Sequence, residues 1–287
     1  MMGEWKKGVK PEKKERRSCA PPIRTAVCMK QVPENAEKSV TGDGKIRRDG
    51  RFSVINPSDV FALEAGLTIK EKRGGAVDVF TMGTEAAKAL LDEAGALGAD
   101  GLFLLSDPDF AGADTYATAH VLAAALRMSG PYDLILCGRR TQDGETGQVP
   151  AEMAVMMGLP AVTNVVAIED AGEGRLRFRR MLEYCEETVE AALPAVVGVM
   201  EGMEWIGHPR FPSLQSMQHA GGRSVVCLGR VDLDLPREQV GSSGSFTEVR
   251  RIFFPDWKRS CRFCSVEEGI ELIRKSVGKA EEKSEPK

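Results

Sequence analysis

Several motifs that identify common nucleotide-binding proteins are missing from this chain of 287 residues. No G-x-G-x-x-G follows the first predicted strand, which argues against a plain nicotinamide dehydrogenase. The P-loop pattern G-x-x-x-x-G-K-[ST] is also absent, since Gly42-Asp43-Gly44-Lys45 lacks the earlier glycine and the hydroxyl residue. No S-G-G-x-D-S phosphate loop is present, so an ATP-pyrophosphatase is not indicated.

Histidine is scarce and cysteine is scattered. The three histidines, His120, His208 and His219, are too far apart in sequence to show metal-ligand spacing. The seven cysteines are odd in number and several fall in apolar strands, which favours a reducing, cytoplasmic environment over a disulfide framework. Only Cys261 and Cys264 form a C-x-x-C pair, and we predict no metal site there.

Long apolar runs and a basic excess are lacking as well. The best apolar stretch, Ala191 to Met200, is short and broken by Pro194 and Gly198, so we expect no membrane span, which needs about 20 residues. The formal net charge is −3, and the body of the chain has no basic excess to attract nucleic acid. Residues 1–22 are basic without the apolar core of a signal peptide, and they predict a disordered tail; contact with an acidic partner or a lipid surface is the alternative.

What is present is a regular alternation of strands and helices. Apolar runs predict strands at Ile23–Met29, Ala76–Thr81, Gly101–Ser106 and Asp133–Cys137, with helices predicted from Pro57 to Gly74, Thr84 to Leu97, Thr115 to about Met128 and Val149 to Met157. This predicts a doubly wound, Rossmann-like α/β sheet with mostly parallel strands. The spacing of the apolar residues changes after Ala161. Strands with turns between them are then predicted at Val162–Ile168, Arg175–Met181 and Thr188–Met200, and they indicate an antiparallel portion of the sheet.

The segment from Gly138 to Met153 reads as a buried strand end, a polar loop rich in glycine and the start of a helix. Thr146 is the N-cap candidate, and Pro150 suits the first turn. Such a loop presents free backbone N–H groups that suit a phosphate or pyrophosphate. An ordinary surface loop is the alternative. Asn56 before Pro57 predicts a second N-cap, and Asp114 or Thr115 a third.

The amino-acid sequence of this loop resembles that of the β subunit of electron-transfer flavoproteins, in particular the prokaryotic branch. The pattern D-G-[DE]-T-[GA]-Q-V is met by Asp143, Gly144, Glu145, Thr146, Gly147, Gln148 and Val149. The K-[QR]-V-P start at Lys30 and the L-P-A-V-V strand at Leu193 also resemble the family, and the likeness covers about residues 23–278. The family implies an electron-carrier subunit rather than a stand-alone enzyme.

The resemblance implies an adenine-nucleotide site. It includes the 143–149 loop and, in addition, Cys28, Asn56, Pro57, Met82, Gly112, Asp114 and Thr115. The G-A-D-T-x-A-T wording from Gly112 and the G-S-x-T wording from Gly244 are similar to the FAD-carrying, electron-bifurcating branch. That implies FAD in this subunit, NADH as a substrate and a ferredoxin as an acceptor. AMP here, with FAD in the α subunit, is the alternative.

The resemblance also implies partners. The expected complex is a heterodimer with an α subunit, serving acyl-CoA-type or other redox dehydrogenases. Pro209 to Leu214 matches the P-R-[YF]-x-[ST]-L loop that docks redox partners, with Arg210 and Leu214 in the docking role; a leucine folded into the core is the alternative. We expect an α/β domain over 23–232 and a C-terminal arm over 233–287 that packs on the α subunit.

The chain departs from the family at three places. After Leu214 the family often has a lysine-rich helix, whereas Gln218 to Arg223 has lost most of that charge. Phe246 stands where proline is expected, and the Cys261/Cys264 pair is unfamiliar. A flavoprotein that does not bifurcate, with structural AMP, therefore stays open, as does a non-redox AMP-binding regulatory module. A ligand-free scaffold is disfavoured because two glycine-bearing loops are predicted at one end of the sheet.

Overall fold

The structure, a computed structural model, describes residues 21–34, 53–172, 174–202, 205–220, 222–250, 261 and 263–281. Most of the predicted basic tail therefore lies outside the described residues. The strands are β1 (Ile23–Cys28), β2 (Gln31–Pro33), β3 (Ser53–Ile55), β4 (Gly75–Met82), β5 (Gly101–Leu105), β6 (Leu134–Gly138), β7 (Ala161–Gly172), β8 (Arg175–Met181), β9 (Glu186–Ala192), β10 (Ala195–Val199) and β11 (Val226–Leu228). The helices are α1 (Pro57–Arg73), α2 (Lys88–Leu97), α3 (Thr115–Ser129), α4 (Val149–Met157), α5 (Leu214–Ala220) and α6 (Val266–Glu281).

The main sheet of the described residues has nine strands in the order β11-β5-β4-β1-β6-β10-β7-β8-β9. The pairs from β11 to β7 are parallel, and β7, β8 and β9 pair antiparallel. The expected doubly wound sheet with an antiparallel portion is therefore confirmed. Strands β2 and β3 form a separate antiparallel pair.

Helices cover both faces of the parallel part. Val27 of β1 belongs to a core cluster with Leu63 of α1 and Leu91 of α2. Its neighbour Ala26 belongs to a second cluster with Met153 of α4 and residues of α3. Successive side chains of a strand point to opposite faces, so α1 and α2 cover one face and α3 and α4 the other. This burial on both faces explains why β1 and β6 read as continuous apolar runs.

One predicted strand is wrong. The structure divides Thr188–Met200 into β9, which is the edge strand of the sheet, and β10, which lies between β6 and β7. Pro194 separates the two strands. It has no backbone N–H to continue a ladder, so the chain leaves the antiparallel edge there and enters the buried parallel region.

The chain forms two compact units, residues 1–251 and 252–287. In the first unit, the start of the predicted arm contributes Leu233, Leu235 and Val240 to the core. In the second, α6 begins with a capping box: the Glu268 N–H donates to Ser265 Oγ at 3.3 Å, and the Ser265 N–H donates to Glu268 Oε2 at 3.4 Å. The proposed arm boundaries stay a prediction. No helix in the described part of the chain has the length and apolar content needed to cross a bilayer.

Candidate functional site

The carboxyl ends of β1 and β6 form the point at which the sheet changes direction. Strand β1 lies between β4 and β6, and the helices that follow β1 and β6 cover opposite faces. In open parallel sheets the crevice at such a point is where ligands bind. The loop predicted to bind phosphate follows β6 and therefore lies at this crevice.

Asn56 holds that loop. It precedes α1 as predicted, but its side chain does not cap the helix. Instead, Asn56 Nδ2 donates to the Arg140 carbonyl at 3.0 Å, and Asn56 Oδ1 accepts from the Gln142 N–H at 3.0 Å. The side chain is buried, so these two bonds satisfy an amide that would otherwise be costly. The predicted capping bond is wrong because the loop offers the amide both a donor and an acceptor.

Asp59, in the first turn of α1, was not predicted as a site residue. Its carboxylate accepts from the Lys30 N–H at 2.7 Å and from the Gly138 N–H at 3.0 Å. Burial raises the pKa of Asp59 from 3.8 to about 7, although these hydrogen bonds and Asn56 oppose the increase. Gly138 is required here, because an added Cβ would lie 2.2 Å from Asp59 Oδ1.

Lys30 and Asp143 join the β1 and β6 loops by an ion pair. Lys30 Nζ lies 2.7 and 2.8 Å from the two oxygens of Asp143. Burial alone would raise the pKa of Asp143, but the Lys30 ammonium holds it below its ordinary value. Further along, Gly147 has a φ of 64°, and a Cβ there would meet the Arg139 carbonyl at 3.0 Å. The loop thus folds back closely on itself.

The helix after the loop begins at Val149, and its N-cap is Gln148 rather than Thr146. The predicted Thr146 cap is wrong because the chain enters the helix two residues later. Thr115, at the start of α3, brings the two predicted loops together: its Oγ1 lies 3.1 Å from Gln148 Oε1 and 3.0 Å from Glu152 Oε1.

Glu152 is a second residue that sequence reasoning missed. Its Oε2 atom is buried and has no hydrogen-bond partner among the described residues. Burial raises the pKa of Glu152, and the Asp114 carboxylate adds to the increase while the bond from Thr115 opposes it. A polar, unsatisfied oxygen therefore lies between the starts of α3 and α4.

Asp114 caps α3, as predicted, through a bond from the Ala117 N–H to Oδ1 at 3.0 Å. Its other oxygen accepts from the backbone of Phe246 at 2.8 Å and from the backbone and hydroxyl of Thr247, both at 3.0 Å. Burial would raise the pKa of Asp114, but these bonds hold it below its ordinary value. Both oxygens are thus engaged by protein donors. Gly112, with a φ of 76°, lies against Ser242, where an added Cβ would come within 3.1 Å of the Ser242 Cβ.

The other predicted residues lie at element ends around the crevice. Cys28 ends β1, is buried and pairs in register with Cys137 of β6. Met82 ends β4 in register with Leu105. Pro57 and Val149 begin α1 and α4, and Gly144 and Glu145 lie in the loop between β6 and α4.

The predicted docking loop presents its leucine to solvent. The Leu214 side chain is 75% exposed, and the nearby Phe211 and Met217 are also exposed. Arg210 instead points to α1, where its guanidinium lies 2.8 Å from Glu64 and 2.6 Å from Glu71. Arg210 therefore anchors the loop, and the docking role of these residues stays a prediction.

Chemically, the described part of the crevice offers groups that can bind a ligand. It presents loop N–H groups, the start of α4, and the cluster of Thr115, Gln148 and Glu152. Within the described ranges, no group of three or more His, Cys, Asp or Glu side chains is placed to hold a metal ion.

Comparison with known proteins places this chain in a family. Residues 43–203 match the electron transfer flavoprotein domain. The chain is 38% identical to the electron transfer flavoprotein subunit beta of Thermoanaerobacterium thermosaccharolyticum over 82% of this chain and 89% of that protein. It is 37% identical to the caffeyl-CoA reductase-Etf complex subunit CarD of Acetobacterium woodii, over 82% and 89%. It is 35% identical to protein FixA of Azotobacter vinelandii, over 81% and 84%. The chain therefore belongs to the electron transfer flavoprotein beta subunits, electron-transfer proteins that pair with an alpha subunit.

Proposed function

We propose that the crevice between β1 and β6 binds one adenine nucleotide and that the chain acts through it as the β subunit of an electron transfer flavoprotein. The observation that carries the proposal is the convergence of separate chain segments. The 139–148 loop, the start of α1 and the start of α3 meet through Asn56, Thr115 and Gln148. These segments lie at the edge of the sheet where nucleotides bind in this type of fold.

The residues present fit such a ligand. The start of α4 and the tight turn at Gly147 would direct backbone N–H groups at a phosphate. Thr115, Gln148 and Glu152 would bond the sugar or base, and the Glu152 oxygen that lacks a partner would be satisfied there. Lys30 is paired with Asp143, so it orders the loop rather than competing as a free cation.

Within this site we favour FAD over AMP. The pyrophosphate of FAD has a second phosphate group for the loop N–H groups to bind. The 244–247 segment, similar in wording to that of the FAD-carrying branch, lies against the start of α3 through Asp114. When bound, a flavin supplies the electron chemistry, and the chain supplies binding and orientation. The finer proposal is electron bifurcation with NADH as donor and a ferredoxin as one acceptor.

The partners proposed are an α subunit and a redox enzyme. One relative is named as part of a caffeyl-CoA reductase complex and another as an acryloyl-CoA reductase electron transfer subunit. By analogy, we propose an acyl-CoA-type reductase or dehydrogenase as a partner here. An exposed leucine held on a fixed loop suits a small, transient contact with such an enzyme.

The decisive experiment is cofactor stoichiometry in the complex co-expressed with its α subunit. We expect two FAD per heterodimer and bleaching of the flavin absorbance by NADH. One FAD with one AMP, and no response to NADH, would leave a one-flavin electron carrier. A colourless complex with AMP alone would favour the regulatory module.

The site itself is tested by a double substitution, Thr146→Ala with Gln148→Ala. It should remove the β-site nucleotide while the complex still assembles, as measured by extraction and chromatography. Thr188→Ala, on the edge strand β9, is the control and should retain full nucleotide. Full nucleotide in the double variant would refute the assignment.

A further inference from the structure

Two aspartates tie β1 to β6, one at each end of the paired strands. At the amino ends, Asp133 Oδ2 accepts from the Arg24 N–H at 2.8 Å. At the carboxyl ends, Asp59 accepts from the Lys30 N–H and the Gly138 N–H. The Asp133 side chain is exposed, whereas Asp59 is only 4% exposed. Aspartate thus accepts backbone N–H hydrogen bonds at both ends, but Asp133 does so at the solvent-exposed surface and Asp59 in the protein interior.

Burying a carboxylate is costly unless its charge is compensated. The Lys30 ammonium, whose charge favours an ionised Asp59, is itself bonded to Asp143, so Asp59 depends mainly on two N–H donors and the Asn56 side chain. Asp133 shows that tying strand ends requires no buried charge. The free-energy cost of burying the Asp59 carboxylate therefore indicates that it has a role specific to the carboxyl edge of the sheet.

We propose that the ionised Asp59 is a positioning residue that fixes the 139–148 loop in the conformation that binds the nucleotide. It acts on both sides of the crevice, since one oxygen holds Lys30, two residues after β1, and the other holds Gly138, the last residue of β6. Neighbouring Asn56 then fixes the next turn of the loop at Arg140 and Gln142. The first turn of α1 thus sets the start of the loop.

The positioning depends on the charge of the carboxylate. An ionised carboxylate accepts from two N–H groups, whereas a protonated one places a hydroxyl against one of them. The pKa of Asp59, about 7, puts this change near neutrality. The ionisable groups around it are Cys28 on β1, Cys137 on β6, Lys30 with Asp143, and Glu201, which accepts from Ser58 next to Asp59 in sequence. The hydrogen bond with Cys28, together with burial, raises the pKa of Cys137, so that thiol stays protonated over the same range.

The inference rests on the proposed function, and the test separates the two. Amide hydrogen exchange is measured by mass spectrometry on peptides covering 138–148 in the co-expressed complex, from pH 6 to 8, with intrinsic rates corrected. In the unsubstituted complex, protection of this loop should rise with pH through about 7. Asp59→Asn should raise its exchange about tenfold at pH 8 and flatten the profile, because one N–H then faces an amide NH₂. Asp133→Asn, the matched control, should leave the loop and its profile unchanged.

Nucleotide content of the same complexes supplies the second readout. Loss of nucleotide in Asp59→Asn together with faster loop exchange supports both proposals. Faster loop exchange in a complex that never holds adenine nucleotide would support the positioning role and refute the proposed function. Bound nucleotide with unchanged exchange in Asp59→Asn would overturn the positioning role alone. If the variant does not assemble, a flat profile from pH 6 to 8 in the unsubstituted complex overturns it.

Discussion

Replacing Asp59 by asparagine should stabilise the protein at alkaline pH. Burial raises the pKa of Asp59 from 3.8 to about 7 in the folded chain. The folded state therefore holds this proton more tightly than the unfolded state. The protonated Asp59 therefore stabilises the folded state fully below pH 3.8, and this contribution is lost as the pH rises through about 7. At about 1.4 kcal/mol for each pH unit, ionising Asp59 above pH 7 costs about 4 kcal/mol of folding stability.

The asparagine removes that cost but turns an NH₂ group toward one backbone N–H, which costs about 1 to 3 kcal/mol. We expect the variant to be more stable by about 1 to 3 kcal/mol at pH 8, and to lose that advantage by pH 5. For a chain of this size, each kcal/mol moves the melting temperature by about 2–4 °C. Melting of the complex, followed by circular dichroism from pH 5 to 8.5, would show the two curves crossing.

Asp133→Asn again serves as the control, since its side chain is exposed and its melting curve should run parallel to that of the unsubstituted complex. Parallel curves for Asp59→Asn over the whole range would refute the reasoning. They would mean that Asp59 titrates in the folded chain near its ordinary value. A buried charge that costs stability while it orders a binding loop is the usual compromise between stability and function.

Two further predictions concern the loop and the docking surface. Gly138→Ala should destabilise the chain by about 1 to 3 kcal/mol in urea unfolding, because the new Cβ would lie 2.2 Å from Asp59 Oδ1 and 2.7 Å from Ser58 Cβ, whereas Gly144→Ala, with its nearest contact at 3.4 Å, should be mild. Equal effects of the two would contradict the close approach at Gly138. Leu214→Ala should leave the complex with the α subunit intact and slow electron delivery to the redox enzyme several-fold, by the loss of an interface anchor; unchanged stopped-flow rates would refute the docking role.

The sheet was predictable from sequence because its signals are local. The apolar run of β6 is buried at every position, and its length and flanking turns identify it as a strand. The N-cap of α3 was equally predictable from sequence, since Asp114 lies directly before the helix that it caps. The failure at Thr188–Met200 was also local, because Pro194 interrupts a run whose β propensity continues on both sides.

The side-chain partners at the crevice were not predictable in the same way. Asn56 meets Gln142, 86 residues away, and Asp59 meets Gly138, 79 residues away. In sequence, both look like ordinary residues of a helix start: Asn56 as a cap, and Asp59 as an acid that suits the helix dipole. The sequence of the 209–214 loop likewise gave no sign that Arg210 pairs with Glu64, 146 residues earlier. Residue type gives the chemistry of such a group, but the fold decides which distant partner receives it.

The structure gives a physical explanation for Phe246, which stands where the family sequence is expected to have proline. A proline at this position has no N–H, whereas the Phe246 N–H donates to Asp114 at 2.8 Å. Its ring also packs edge to face on Tyr116 of α3, with the ring centroids 4.7 Å apart. This chain therefore fastens the 244–247 segment to the start of α3 by a backbone bond and an aromatic contact that proline cannot make. Because Thr115 of the proposed nucleotide site directly follows Asp114, the substitution strengthens the support of that site rather than removing it.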